Sequence, residues 1–296
     1  MSGVSELAYI GAGATDLGAW RSYGTEVLGH EVTSDSDDHA VYLRCDDRHH
    51  RLLAVPSKVD DVEFVGWQAR SPEALDVLSS AVSNAGVEIH EATSAELALR
   101  RVLGMSWFIC PHSGVRMELA YGHQVIGPTF RPSRELEGFN TGNGGLGHAV
   151  LYAKDVQLAA RFYSEILGFG VSDFATIPGV GPIGAFLHCN ERHHSLAFFG
   201  FDSPPRKIHH VMFETKGIDD VGFTYDICLD RSITTTSLGR HGNDWSFSFY
   251  FRNPSQWHIE YSWSPRVVNP ETWITEQYTF GNPGRAWGHA GLREMH

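Results

Sequence analysis

From Gly147 onward the spacing of apolar and polar positions changes repeatedly, and each change marks an element. GHAVLYA is a near-continuous apolar run of strand length, and DVQLAARFYSEIL, which follows it, takes up helical spacing with Asp155 as N-cap and Gly168 ending the helix. IGAFLHC and HHSLAFF then read as two strands, split by Asn190, Glu191 and Arg192 as a three-residue hairpin connection. A second unit starts with strand KIHHVMFET, continues through helix GIDDVGFTYDICLD and closes with WSFSFYF, the turn RNPSQ and WHIEYSW.

The first half of the chain repeats this texture. Leu7 to Gly29 sets on Leu146 to Gly168 at an offset of 139 without a gap. The pairs His49-His50 and His193-His194 then match after a five-residue insertion; VEFVGWQA falls on IHHVMFET, and RMELAYG on HIEYSWS. The chain is therefore a duplication of two βαβββ-like modules, four in all. The expected fold is α+β: two similar domains, residues 1–138 and 139–296, each a curved mixed sheet around a central cavity. The Gly-rich FNTGNGGLG (Phe139 to Gly147) is the expected linker.

Composition narrows the function classes. Thirty-five acidic against 23 basic residues give a formal charge of −12, with no basic run, which argues against nucleic acid or an anionic membrane surface as partner. No secretory leader pattern and no run of eighteen apolar residues is present, so a cytoplasmic protein is expected, with Cys45, Cys110, Cys189 and Cys228 as reduced packing residues.

Candidate chemistry comes from the histidines. Neighbouring strand residues face opposite ways, so one member of each adjacent pair is expected to look inward. His210 aligns with apolar Phe64 and His209 with charged Glu63, which makes His210 the inward one; the same reasoning favours His194 over His193. His148 stands on a leading strand where the first half has Tyr9, and Glu260 on the closing strand matches Glu118. Alternation alone leaves open that Glu260 shares a solvated face with His258. Two histidines and a carboxylate on converging strands are the donor set that leaves three cis positions open on non-haem Fe(II). The first half offers Tyr9, Phe64 and Glu118, one ligand of three, and is expected to bind no metal.

In GLGHAVLYAKD, FLHCNERHHSLAF, RKIHHVMFE, SLGRHGNDWSFSFYF and PSQWHIEYSW, five words in order, the chain resembles the type I extradiol ring-cleavage dioxygenases of the vicinal oxygen chelate superfamily, in particular the 2,3-dihydroxybiphenyl 1,2-dioxygenase group. The resemblance covers nearly the whole chain. It implies His148, His210 and Glu260 as ligands of Fe(II), with Mn(II) as the alternative ion, and His194, His241, Asn243, Asp244 and Tyr250 as pocket residues. Of these, His194 is expected to be the acid/base group beside the O2 site, and His241 and Tyr250 to hold the oxygens of a catechol; Asn243 and Asp244 orient them. The implied reaction is extradiol cleavage with insertion of both atoms of O2. A homo-oligomer, often an octamer, is implied as well.

Substrate identity is less legible. IPGVGPIGAF (Ile177 to Phe186), DSPPRK and many aromatics suggest an apolar pocket edge and a biphenyl-type or bicyclic diol, with dihydroxynaphthalene, alkylcatechols and steroid catechols as alternatives. Two rival functions remain at this level: a metal-dependent, glyoxalase-like isomerase and a non-catalytic binding protein of the same superfamily. The isomerase generally gathers more carboxylate from both halves, and the binder needs no ligand triad.

Overall fold

The structure is a computed structural model that describes residues 3–279 and 286–292. Its elements form four βαβββ units. The first runs β1 (Leu7–Ala14), α1 (Leu17–Glu26), β2 (Glu31–Val32), β3 (Val41–Arg44) and β4 (Leu52–Pro56). The second runs β5 (Asp61–Gln68), α2 (Pro72–Asn84), β6 (His90–Glu91), β7 (Gly104–Ile109) and β8 (Arg116–Tyr121), with an added helix, α3 (Ser94–Arg100), before β7. The third comprises β9 (Gly147–Ala153), α4 (Val156–Leu167), β10 (Gly170–Ile177), β11 (Gly181–His188) and β12 (Leu196–Gly200). The fourth comprises β13 (Ile208–Glu214), α5 (Ile218–Asp230), β14 (Gly239–Arg240), β15 (Phe247–Arg252) and β16 (His258–Trp263). Beyond it lie the tail strands β17 (Glu276–Thr279) and β18 (Trp287–Gly288). Within the C-terminal tail, Phe280 to Arg285 and Arg293 to His296 lie outside the described residues.

The strands make two curved mixed sheets. The first is ordered β2-β3-β4-β1-β5-β8-β7-β6, and the second repeats that order as β10-β11-β12-β9-β13-β16-β15-β14 with β17 and β18 added at its edges. Leading strands sit side by side at each centre, β1 antiparallel to β5 and β9 antiparallel to β13. This juxtaposition is what brings residues of separate modules to one site.

Alternation sorts each strand between two environments. On β12, Leu196 and Phe198 face the helices while Ala197 and Phe199 line the concave face; on β9, Ala149 and Leu151 face the helices and Val150 the concavity. The helix-side core is continuous across both halves, joining Trp20 of α1 to Trp257 of the second half at 5.8 Å between rings. Both leading helices start on an aspartate one repeat apart. Asp16 accepts from the Ala19 N–H, and Asp155 from those of Gln157 and Leu158. Gly168 ends α4 at φ 76°, a left-handed cap that suits a residue without Cβ.

Three local expectations need correction. The connection between β11 and β12 spans Cys189 to Ser195, so His193 and His194 stand in an irregular connector and strand alternation does not govern them. A β-bulge between Ile208 and His210 likewise breaks alternation at His209, so both His209 and His210 are buried toward the concave side. The pocket edge is also shorter than expected: Ile177 to Gly181 forms the tip of the β10-β11 hairpin, with Val180 exposed, and only Ile183 and Phe186 of that segment line the concavity.

Candidate metal centre

His148 on β9, His210 on β13 and Glu260 on β16 converge at the centre of the second sheet, and one ligand atom from each lies within 4.8 Å of the others. The register explains the convergence. Met212 of β13 pairs with His148 on one side and with Glu260 on the other, which sets those two donors level, and His210 lies two residues earlier on the strand between them. Glu260 is not solvated: it is 1% exposed, and His258 beside it is buried too. The Nε2 atoms of His148 and His210 are 3.0 Å apart, and the Glu260 Oε2 stands 3.2 and 3.3 Å from them. Neither carboxylate oxygen of Glu260 has an aligned hydrogen-bond donor. Burial opposes its ionisation, but the facing imidazoles of His148, His210 and His241 outweigh that and hold its carboxyl well below the usual range. Two imidazole nitrogens turned toward each other beside an unbonded carboxylate fit a divalent cation, the group that satisfies all of them together.

Around this cluster the structure gathers the other expected residues. The His194 ring stacks on His148 at 3.9 Å between centroids and meets Phe186 edge-on at 5.1 Å. Desolvation, the largest cause, together with its histidine neighbours keeps His194 well below the ordinary histidine range. Tyr250 on β15 faces His210 at 4.9 Å, and its hydroxyl lies 2.8 Å from His241 Nε2. That nitrogen is also 3.3 Å from Glu260 Oε1; burial lowers the affinity of His241 for a proton, and Glu260 overcomes the loss and raises it.

Asn243 and Asp244 stand further back and organise the loop. Asp244 accepts from the backbone and hydroxyl of Ser246, while the carbonyls of Asn243 and Asp244 accept from Arg266, whose guanidinium lies between Trp245 and Trp273. Val150, Ala175, Ile183, Phe186, Ala197, Phe199 and Tyr278 form an apolar wall on the same concave face. Sequence reasoning missed several neighbours of the cluster. His209 Nδ1 lies 2.6 Å from His210 Nδ1, which lets it accept from a ligand histidine and fix that ring for coordination through Nε2. His289, from the tail, stacks on His241 at 4.3 Å. The tail also delivers Tyr278, against Phe186 at 6.2 Å. Nothing local in the sequence marks these contacts, since each depends on a bulge or on a distant segment.

A family model described as "Glyoxalase/Bleomycin resistance protein/Dioxygenase superfamily" matches residues 145–261, and one described as "Dihydroxybiphenyl dioxygenase BphC D1" matches residues 7–56. The 1,2-dihydroxynaphthalene dioxygenase of Sphingobium xenophagum is 38% identical over 98% of this chain and 98% of its own length. The chain belongs to the extradiol dioxygenases. A protein of Rhodococcus jostii (strain RHA1) named iron-dependent extradiol dioxygenase is 36% identical over 97% of each chain. The crystal structure of BphC, a halotolerant catechol dioxygenase, superposes with a TM-score of 0.88 at 34% identity, covering 99% of this chain and 96% of that one.

In this extradiol dioxygenase the first half closes the equivalent place. Tyr9 donates to Glu118 at 2.9 Å, and Arg100 and Arg116 reach the same carboxylate at 2.8 to 2.9 Å. The Arg100 guanidinium lies 3.5 Å over the Phe64 ring. The rings of Phe64 and Tyr9 occupy the space in which a Cβ on Gly11 or Gly66 would stand, at 2.1 and 2.3 Å. Glu118 is as buried as Glu260, but its negative charge is met by cations of the chain itself.

Proposed function

We propose that His148, His210 and Glu260 hold Fe(II), and that the protein cleaves a biphenyl-type or bicyclic catechol beside its diol, incorporating both atoms of O2. The observation that carries the reading is the buried donor set itself, with two imidazole nitrogens and an unbonded carboxylate converging within 4.8 Å. Held by His148, His210 and Glu260, the ion would supply open coordination for a diol and O2 and the redox chemistry that links them. The relative named for iron supports Fe(II) over Mn(II).

The protein's own groups do the rest. The Tyr250 hydroxyl and His241 Nε2, 2.8 Å apart, form a polar edge that orients one diol oxygen. His194, held neutral by burial, accepts a phenolic proton as the diol binds and returns it when the ring opens. Asn243 and Asp244 keep the His241 loop in place. Phe186, Phe199 and Val150 exclude water and accept the apolar part of the substrate, which suits the bicyclic diol named for the naphthalene relative.

Four unpaired cysteines fit a reducing compartment, the cytoplasm. Exposed Ile274 and Trp287 in the tail suit association into a homo-oligomer, whose mass sedimentation measures.

The deciding experiment loads the protein anaerobically with Fe(II) or Mn(II), measures bound metal, and exposes it to air with dihydroxybiphenyl, dihydroxynaphthalene and alkylcatechols. A coloured ring-fission product that forms faster with iron, and a kcat/KM favouring the bicyclic diols, are expected. Bound iron without product from any catechol would overturn the reading.

A further inference from the structure

A buried chain of polar groups runs away from the candidate centre through the β11-β12 connector. At its far end a bulge at Ser172 of β10 lets both Ser172 and Asp173 bear on that connector. The Ser172 hydroxyl donates to the His193 carbonyl oxygen and lies 2.7 Å from His188 Nδ1. Asp173 is 1% exposed; its Oδ2 lies 3.3 Å from His193 Nε2, and neither the carboxylate oxygens nor that nitrogen has a well-aligned hydrogen bond to another group. His193 Nδ1 in turn lies 3.2 Å from His194 Nδ1.

We propose that Asp173 and His193 are positioning residues that set the tautomer and ring plane of His194. Burial raises the Asp173 pKa from the ordinary carboxylate value and His193 opposes the rise; in its ionised form the carboxylate only accepts, so His193 carries its proton on Nε2 and presents a lone pair at Nδ1. The His194 Nδ1 must then donate, and its Nε2 is left as the basic nitrogen of a ring stacked on the ligand His148. Without the carboxylate the bond between the two histidines is satisfied equally well in the reverse sense, which would protonate Nε2. The inference rests on the reading of His194 as the acid/base group.

The first half contains the same chain with a different end. Asp35 Oδ2 lies 3.0 Å from His49 Nε2, and His49 Nδ1 lies 3.2 Å from His50 Nδ1. There the carboxylate is 39% exposed and shared with Arg101, and His50 faces Tyr9 and His123. The scaffold thus builds the chain twice, and only the second copy ends on a candidate metal ligand. A purely structural role would be served equally well in either place.

Imidazole 13C and 15N NMR on the metal-free protein, with His194 assigned by difference against His194→Ala, reads the tautomer directly and needs no turnover. The expected spectrum shows Nδ1–H at His194 in the wild type and a mixture in Asp173→Asn. In the iron-loaded enzyme, Asp173→Asn and His193→Phe should each lower kcat by about 10- to 100-fold with KM and iron content retained, as loss of an outer hydrogen-bond partner does. Asp173→Glu should restore part of the rate. Nε2–H at His194 in the wild-type spectrum, or an Asp173→Asn variant with unchanged tautomer and kcat, overturns the proposal. Full turnover in His194→Ala would instead remove the acid/base reading beneath it.

Discussion

The two halves share strand order, leading-helix caps and a buried carboxylate on the closing strand, yet they neutralise that carboxylate differently. Glu118 meets Arg100 and Arg116, and Glu260 meets histidine nitrogens that fit a metal ion. A carboxylate taken out of water needs a positive partner close by, because the cost of desolvation is otherwise several kcal/mol. Arg100 comes from α3, which has no counterpart between α5 and β15. The inserted helix, together with Arg116 and with Tyr9 and Phe64 standing where the second half has His148 and His210, fills the concave face that carries the candidate ion site in the second half.

The comparison can be broken most sharply at Glu260. Glu260→Gln removes the anionic donor, and bound metal and turnover should fall together by more than about 100-fold, beyond what outer-shell changes cost. Stoichiometric iron in that variant would show that the two carboxylates are not in different roles. Arg100→Met tests the other side: Glu118 keeps Arg116 and Tyr9, so loss of the Arg100 bonds should cost about 1.5 to 3 kcal/mol in urea unfolding. Iron bound per folded molecule should stay constant, and it should also stay constant in Glu118→Gln. The double variant Arg100→Met/Glu118→Gln should recover much of the loss, a coupling that a double-mutant cycle measures.

A smaller effect sits where the halves meet. His30 is fully buried between Phe139 and Phe213, and desolvation, with Arg134 adding to it, lowers its pKa to about 3. The unfolded chain binds a proton there near pH 6.5, so His30 contributes stability that is fully present above about pH 6.5 and is lost as pH falls toward about 3. Between about pH 6 and pH 4 the wild type should lose about 1 kcal/mol per unit more than His30→Leu, measured by urea unfolding at each pH. Smallest of all, Asp16→Ala and Asp155→Ala should each cost about 1 kcal/mol, equally in the two halves. A clear inequality would show that the leading helices are not equivalent.

Much of this was readable before any coordinates. The offset of 139 exposes the duplication, and the apolar periods place the four modules. The aspartate and glycine signals bound α4 where the structure starts and ends it. Residue types at His148, His210 and Glu260 mark a donor set. These features are legible because each depends on local spacing or on a comparison of the chain with itself.

Other features failed to show for a physical reason. Alternation holds only while a strand stays regular, so the bulges at His209 and Ser172 and the seven-residue connector carrying His193 and His194 gave side chains directions that period two does not predict. His289 and Tyr278 reach the cavity from a tail strand, and Arg100 reaches Glu118 from an inserted helix. Local spacing and internal similarity are enough to specify the repeated scaffold and the chemical types available to it. Tertiary structure decided that Arg100 of α3 closes on Glu118 and that a bulge and a tail strand bring His209 and His289 to the second site, because those contacts join separate segments and no local spacing records them.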